Sequence, residues 1–244
     1  MLINKRIGFI LGLSFAWLGC SPPQVTNPVT AINGRISPTY QGPSEPSYCG
    51  SPLAQSSPVT ITGTAEYEAR IPFFTGGGGL GAPGAPRPIR YAEIRITNSA
   101  GTVVQCGETD ASGNFSIPVS QGTNVLTLSV NARANNNKVK ISVLDAPERN
   151  QLYSLQKEFT PDINKSLNTL TASATGGVLG GAFNIYDQIL NANEYLRNEV
   201  GTCGITGCPD FTVAEKVFAY WELGFNPGSY FVGVGGLSFY LPGT

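Results

Sequence analysis

Residues 92–119 read "AEIRITNSAGTVVQCGETDASGNFSIPV". Ala92, Ile94 and Ile96 alternate with Glu93, Arg95 and Thr97, with Tyr91 on the same outward set. A period of two marks a strand with one buried and one wet face. "NSAG" at 98–101 supplies turn residues, and Thr102 to Cys106 return as the second strand of a hairpin. "NFSIPV" opens a third strand. In between, Asp110, Ser112 and Asn114 sit two apart, as oxygen ligands do at the start of a calcium loop. That loop requires D-x-[DN]-x-[DN]-G and a bidentate Glu at its twelfth position. Here Gly113 precedes Asn114, Gln121 holds the twelfth place, and strands flank the motif instead of helices. The reading is a structural turn: Asp110 and Ser112 bond to neighbouring backbone and Gly113 takes a positive φ. No metal is expected here, and no cofactor anywhere in the chain.

The same alternation extends in both directions. In "VTITGTAEYEARI", residues 59–71, Val59, Ile61, Gly63, Ala65, Tyr67, Ala69 and Ile71 form the inward set. "TGGGGLGAPGAPRP" follows at 75–88. It has glycines but no Lys-Ser/Thr and no helix after it, so it reads as a flexible loop and not a phosphate cradle. Further strands are expected in "NVLTLSVNAR", in "KVKISVL", and near 151–159 and 166–174. Short strands with turn signals between them indicate an antiparallel sandwich, and the fold class is mainly β. The pattern changes at "AFNIYDQILNANEYLRNEV". Ile185, Ile189, Ala192 and Leu196, widened by Tyr186, Leu190 and Val200, fall on one face of a helix that ends at Gly201. "EKVFAYWEL" and "GSYFVGVGGLSFYLPGT" read as further strands, so a small α+β segment follows the sandwich.

The N-terminus carries Lys5 and Arg6, then the apolar run "IGFILGLSFAWLG", then Cys20. This has the layout of a secretory signal and is shorter than a membrane span. "WLGC" resembles the lipobox of bacterial lipoproteins, with Trp17 where that family prefers Leu. The resemblance implies that Cys20 is the lipidated first residue of the mature chain and that its partner is a lipid membrane. It also implies an exported protein of the cell envelope, at the outer membrane more than the inner. Pro, Ser, Gln, Gly and Asn dominate as far as Ser57, which reads as a flexible tether. The expected organisation is therefore 1–19 signal, 20–57 lipidated cysteine and tether, 58–175 sandwich, and 176–244 α+β segment.

Lys+Arg 15 nearly balances Asp+Glu 16, which leaves no basic field to attract nucleic acid. Beyond Cys20 there are Cys49, Cys106, Cys203 and Cys208. An even count in an exported chain favours two disulfides, and four cysteines allow three connectivities. Cys203 and Cys208 flank the short turn "GITG" and are paired on that ground, which leaves Cys49 with Cys106. A zinc knuckle is disfavoured because the chain has His 0 and no second cysteine pair near Cys203 and Cys208.

Thr109, Asp110, Gly113 and Phe115 occupy the places of a T-D-x-x-G-x-F pattern. With the hairpin before it, this segment resembles the carboxypeptidase regulatory-like domain, over about residues 58–175. The resemblance implies a seven-stranded prealbumin-like sandwich that serves as an accessory module with no catalytic residue. "GGAFNIYDQILNANEYLRNE" and "VFAYWELG" resemble the segment before the catalytic helix in bacterial secreted or lipid-anchored zinc peptidases. Those peptidases use an H-E-x-x-H helix, and with His 0 no such helix is present. The alternatives are a non-catalytic structural or binding module, or the leading fragment of a peptidase whose metal helix lies beyond residue 244. The partner would then be a downstream peptidase domain or an envelope protein. Without histidine no Ser-His-Asp or Cys-His arrangement exists. Glu66 with Glu68, and Glu194 with Glu199, read as solvated charges; Tyr220 and Trp221 read as packing groups.

Overall fold

The computed structural model describes residues 45–49, 51–73, 79–147, 149–201 and 212–222. In chain order the strands are β1 Pro58–Tyr67, β2 Arg70–Phe73, β3 Gly79–Pro83, β4 Arg87–Pro88, β5 Glu93–Thr97, β6 Val103–Glu108 and β7 Asn114–Ser120. Then come β8 Leu126–Asn131, β9 Arg133–Asn135, β10 Lys140–Leu144, β11 Ser154–Phe159 and β12 Lys165–Ala172. Helix α1 spans Leu179–Tyr195 and runs into a π-helical turn, Leu196–Val200; strand β13 is Val217–Tyr220.

The chain is mainly β, a sandwich with a helix packed against it. One sheet is centred on β1, with β12 on one edge and β7, then β4, on the other. The second has the order β11-β8-β5-β6. Alternation builds the core between them. Val59, Ile61, Ala65 and Tyr67 of β1 meet Ile94 and Ile96 of β5 and Leu128 and Val130 of β8 in one cluster. Burying such side chains supplies the main driving force, about 25 cal/mol for each Å² of apolar surface removed from water. Among the described residues two pairings run parallel, β1 with β12 and β10 with β13. Residue alternation is the same for either direction, so this feature is not written in the strand sequences.

Three local expectations are corrected. Ile71 is 59 % exposed, because β1 ends at Tyr67 and the chain re-enters as β2, a separate hairpin with β3. Part of the glycine-rich stretch read as a loop is strand: Gly79–Pro83 pairs with β2, and Arg87–Pro88 pairs with β1. The helix is rotated from its expected face. Ala182, Phe183, Tyr186, Leu190 and Asn193 are buried, Ile185 and Ile189 are partly buried, and Ala192, Leu196 and Val200 are exposed. The cause is the pair Tyr186 and Asp187. The Tyr186 hydroxyl donates to Arg90 O at 2.9 Å, and Asp187 accepts from Arg90 Nη2 at 2.9 Å and from the Tyr67 hydroxyl at 2.8 Å. Turning these groups inward satisfies them against the sandwich and leaves the smaller aliphatic residues at the margin.

The turn at 109–114 is closed by Asp110. Its Oδ1 accepts from the Ser112 and Asn114 amides, each at 2.8 Å, and the Asp110 amide donates to Asn114 O at 2.8 Å. Gly113 has φ +76°, and a Cβ there would lie 2.4 Å from Ala65 O. Gly101 in the 98–101 turn has the same φ but open space around it. Gly113→Ala is expected to cost roughly 2–4 kcal/mol, strain plus clash. Gly101→Ala should cost only about 1 kcal/mol, the strain alone. Chemical denaturation of the two variants checks this; equal losses would show that the Ala65 contact does not limit the turn.

Candidate functional site: a buried ion pair under an N-terminal strap

Glu93 lies on the face of β5 that its alternation assigns to solvent, yet its side chain has no exposure. Two features cover it. Arg133, at the start of β9 between Ala132 and Ala134, is itself fully buried and lies across it. Residues 45–49, within the expected 20–57 tether, form a strap on top. Cys20 and the first part of that tether lie outside the described residues.

Each Glu93 oxygen is occupied. Oε1 accepts from Arg133 Nη2 at 2.6 Å, the Cys49 amide at 2.6 Å and Arg95 Nε at 3.1 Å. Oε2 accepts from Arg133 Nε at 2.7 Å and Asn131 Nδ2 at 2.8 Å. The forked guanidinium and the carboxylate thus meet through two parallel bonds, the strongest geometry open to such a pair. Burial alone would push the Glu93 carboxyl up. The Arg133 guanidinium outweighs it, helped by Asn131 and the Cys49 amide, and holds the carboxyl below its ordinary range.

The strap reads this pair with its backbone. Pro46 O accepts from Arg133 Nη1 at 2.6 Å, and Ser47 O accepts from Arg95. Glu45 accepts from the Ser142 hydroxyl at 2.6 Å and pairs with Lys216, just ahead of β13. The Tyr48 ring faces Arg133, whose guanidinium carbon is 5.6 Å from its centroid, and its hydroxyl donates to Glu108. Burial and then the Glu108 carboxylate raise the Tyr48 phenol well above its ordinary value, so it stays a donor. A disulfide joins Cys49 to Cys106 of β6, with Cα atoms 5.4 Å apart. Beyond it, Leu53 and Gln105 exchange two hydrogen bonds, and Gln55 reaches Val104 O and Ser120. A groove of about 840 Å³ remains beside the strap, lined by Tyr48, Cys49, Leu53, Arg95 and Glu108 among others.

The other sites expected from sequence are dispersed. Cys203 and Cys208 lie outside the described residues. Asp110, Ser112, Gly113 and Asn114 stay together as the turn already described. Glu66 accepts from the Thr171 hydroxyl, and Glu68 from the Ser173 hydroxyl and the Ala174 amide, so both tie β1 to β12 and its exit. Glu194 pairs with Arg90 at 2.9 Å. Trp221 donates from Nε1 to Val178 O at 3.0 Å and lies over Gly181, where a Cβ would touch its ring at 2.8 Å. Tyr220 donates to Asn150 at 3.2 Å. Among the described residues, no group of three Asp, Glu, Cys or His side chains is placed to hold a metal ion. Alternation alone does not reveal the strap cluster, because Glu93 obeys the outward phase of its strand. A charge enclosed by alanines at 132–134 was the available signal.

The arrangement defines a class: a β-sandwich whose N-terminal strap is cross-linked over a buried, saturated ion pair. Its polar groups hold one another through the bonds given above. No protein-family model matches the chain, and no curated protein matches it.

Removing one partner of a buried pair strands the other charge. Arg133→Met is expected to lower stability by about 3–5 kcal/mol, and Glu93→Leu with Arg133→Met to recover most of that. Denaturant unfolding of both variants measures it; a double variant no more stable than the single would refute the stranded charge. The pH response follows the same pair. A carboxyl held below its ordinary value stabilises the fold fully above about pH 4.3, and the contribution is lost as pH falls through the lower folded value. Hydrogen-exchange protection of the Cys49 amide should therefore be flat from neutral pH to about pH 5 and fall only in stronger acid.

Proposed function

We propose that this chain is an exported, lipid-anchored envelope protein whose β-sandwich is a non-catalytic structural or binding module of the carboxypeptidase regulatory-like kind. The Cys49–Cys106 disulfide is the observation that carries the reading. Such bonds persist in oxidising compartments outside the cytosol, as the signal-like start and Cys20 demand. The strap fits the same picture. A chain leaving a membrane through a Pro- and Ser-rich tether first grips the folded part at 45–49, and it does so by a covalent link. The groove beside the strap and the solvated outer faces of the sheets are the surfaces on which such a module would meet its partner. Bacterial expression of the full chain with an alkyne-tagged fatty acid tests the anchor. The wild-type protein should carry the label and sediment with membranes, and Cys20→Ser should lose both. A wild-type chain that is unlabelled and freely soluble after lysis would overturn it.

A second reading is favoured by one observation. The segment that resembles the pre-catalytic part of zinc peptidases packs on the sandwich core through Phe183, Tyr186 and Trp221, as a continuous fold and not a separate appendage. On that reading the module supports a peptidase domain encoded further along the same frame. An H-E-x-x-H in that frame supports it, and a stop codon directly after Thr244 in the intact gene removes it.

A further inference from the structure

Glu93 and Arg133 hold residues 45–49 by bonds that do not involve sulfur. The Cys49 amide rests on Glu93 Oε1 at 2.6 Å, so the backbone of that cysteine is fixed from one side. Pro46 O and Ser47 O are held by Arg133 and Arg95, and Glu45 is held by Ser142 and Lys216. On the other side Cys106 is fixed by β6, where its neighbour Gln105 bonds to Pro118 O and Leu53 O. Both cysteines are nearly buried, at 8 % and 5 % exposure. They are 57 residues apart in sequence. Chance encounter therefore does little to bring them together, because closing a loop of that length is entropically costly.

We infer that the Glu93–Arg133 pair is a docking site for residues 45–49 that selects the Cys49–Cys106 pairing before the sulfurs join. Cys49, Cys106, Cys203 and Cys208 allow three connectivities; short spacing favours closing Cys203 with Cys208, but it does nothing to bring Cys49 to Cys106 across 57 residues. Docking removes the degeneracy by raising the local concentration of one thiol beside one other. The chemical step is ordinary exchange. A disulfide oxidant, such as oxidised glutathione, is attacked by one cysteine thiolate to give a mixed disulfide. The second cysteine displaces the oxidant's remaining thiol, forming the S–S bond. Two electrons and two protons end on the oxidant, which leaves as two thiols. Glu93 and Arg133 touch neither sulfur; they are positioning residues. The inference does not depend on a lipid at Cys20.

The test uses the full chain with Cys20→Ser, so that four thiols compete. Reduced, denatured protein is refolded in a glutathione buffer, quenched with an alkylating agent at intervals and mapped by mass spectrometry. The parent should form Cys49–Cys106 as its dominant product. Glu93→Gln should slow that bond tenfold or more and raise the share of pairings between Cys49 or Cys106 and Cys203 or Cys208. Because a single charge variant can fail to fold, Glu93→Leu with Arg133→Met supplies the decisive comparison. It keeps an apolar core at this place but offers no acceptor to the Cys49 amide and no donor to Pro46 O. If it folds by circular dichroism and still mispairs, docking selects the bond. If it folds and forms Cys49–Cys106 at the parent rate and share, the sheet alone brings the sulfurs together and the inference is overturned. A double variant that does not fold passes the decision to Glu93→Gln in its folded, oxidised form. Partial reduction and re-oxidation of that protein must then give the mispairing, and parental pairing overturns the inference.

Discussion

Burying a carboxylate without compensation costs far more than a small domain's total stability, and Glu93 is buried completely. Everything around it offsets that cost. Arg133 supplies the charge through two parallel bonds, Asn131 and Arg95 fill remaining acceptor directions, and the Cys49 amide takes the last. Because one of those donors belongs to the strap, the strap is not decoration. Lifting it would return an acceptor of Glu93 and the carbonyl partners of Arg133 to water or leave them unpaired. The disulfide and the ion pair therefore reinforce each other, one limiting the freedom of the chain and the other giving it a place to lie.

A second polar knot does for the helix what the first does for the strap. Arg90, in the loop between β4 and β5, bonds to Asp187, Glu194 and Asn191, three residues along one side of α1. Tyr67 of β1 reaches Asp187 from below. The apolar contact of Phe183, Tyr186 and Leu190 with the sandwich fixes how closely the helix approaches, and this knot fixes its rotation about its own axis. The strap and the helix are thus both oriented by arginines, whose planar fork sets direction as well as charge.

Much of the sandwich is legible in the sequence. Alternation marks β1, β5, β7 and β8; Asn98 and Gly101 mark the hairpin turn, where Asn98 Oδ1 does accept from the Ala100 and Thr102 amides. Pairing Cys203 with Cys208 on their short spacing leaves Cys49 with Cys106, and that second bond is present. What stayed hidden depends on a partner that the segment's own pattern does not name, and for Glu93 and the helix that partner is remote in sequence. The outward phase of Glu93 is correctly read, but this face is covered by the strap, more than forty residues earlier, and by Arg133, forty residues later. The helix face was assigned from aliphatic spacing, whereas Arg90 decides it from 97 residues away. The glycine-rich stretch pairs as strand because β2 and β1 offer it edges, which no local propensity encodes.

The parallel pairing of β1 with β12 has a consequence for how this chain comes into being. Ile61 sits opposite Lys165, so the central strand of its sheet meets one neighbour only after about a hundred further residues have emerged. Pairings this distant slow folding, because the intervening loop must be closed before any contact compensates for it. β1 can pair with β7 once residue 120 has been made, but its other edge stays open until residues 165–172 follow, so the sheet is completed from its far end in sequence.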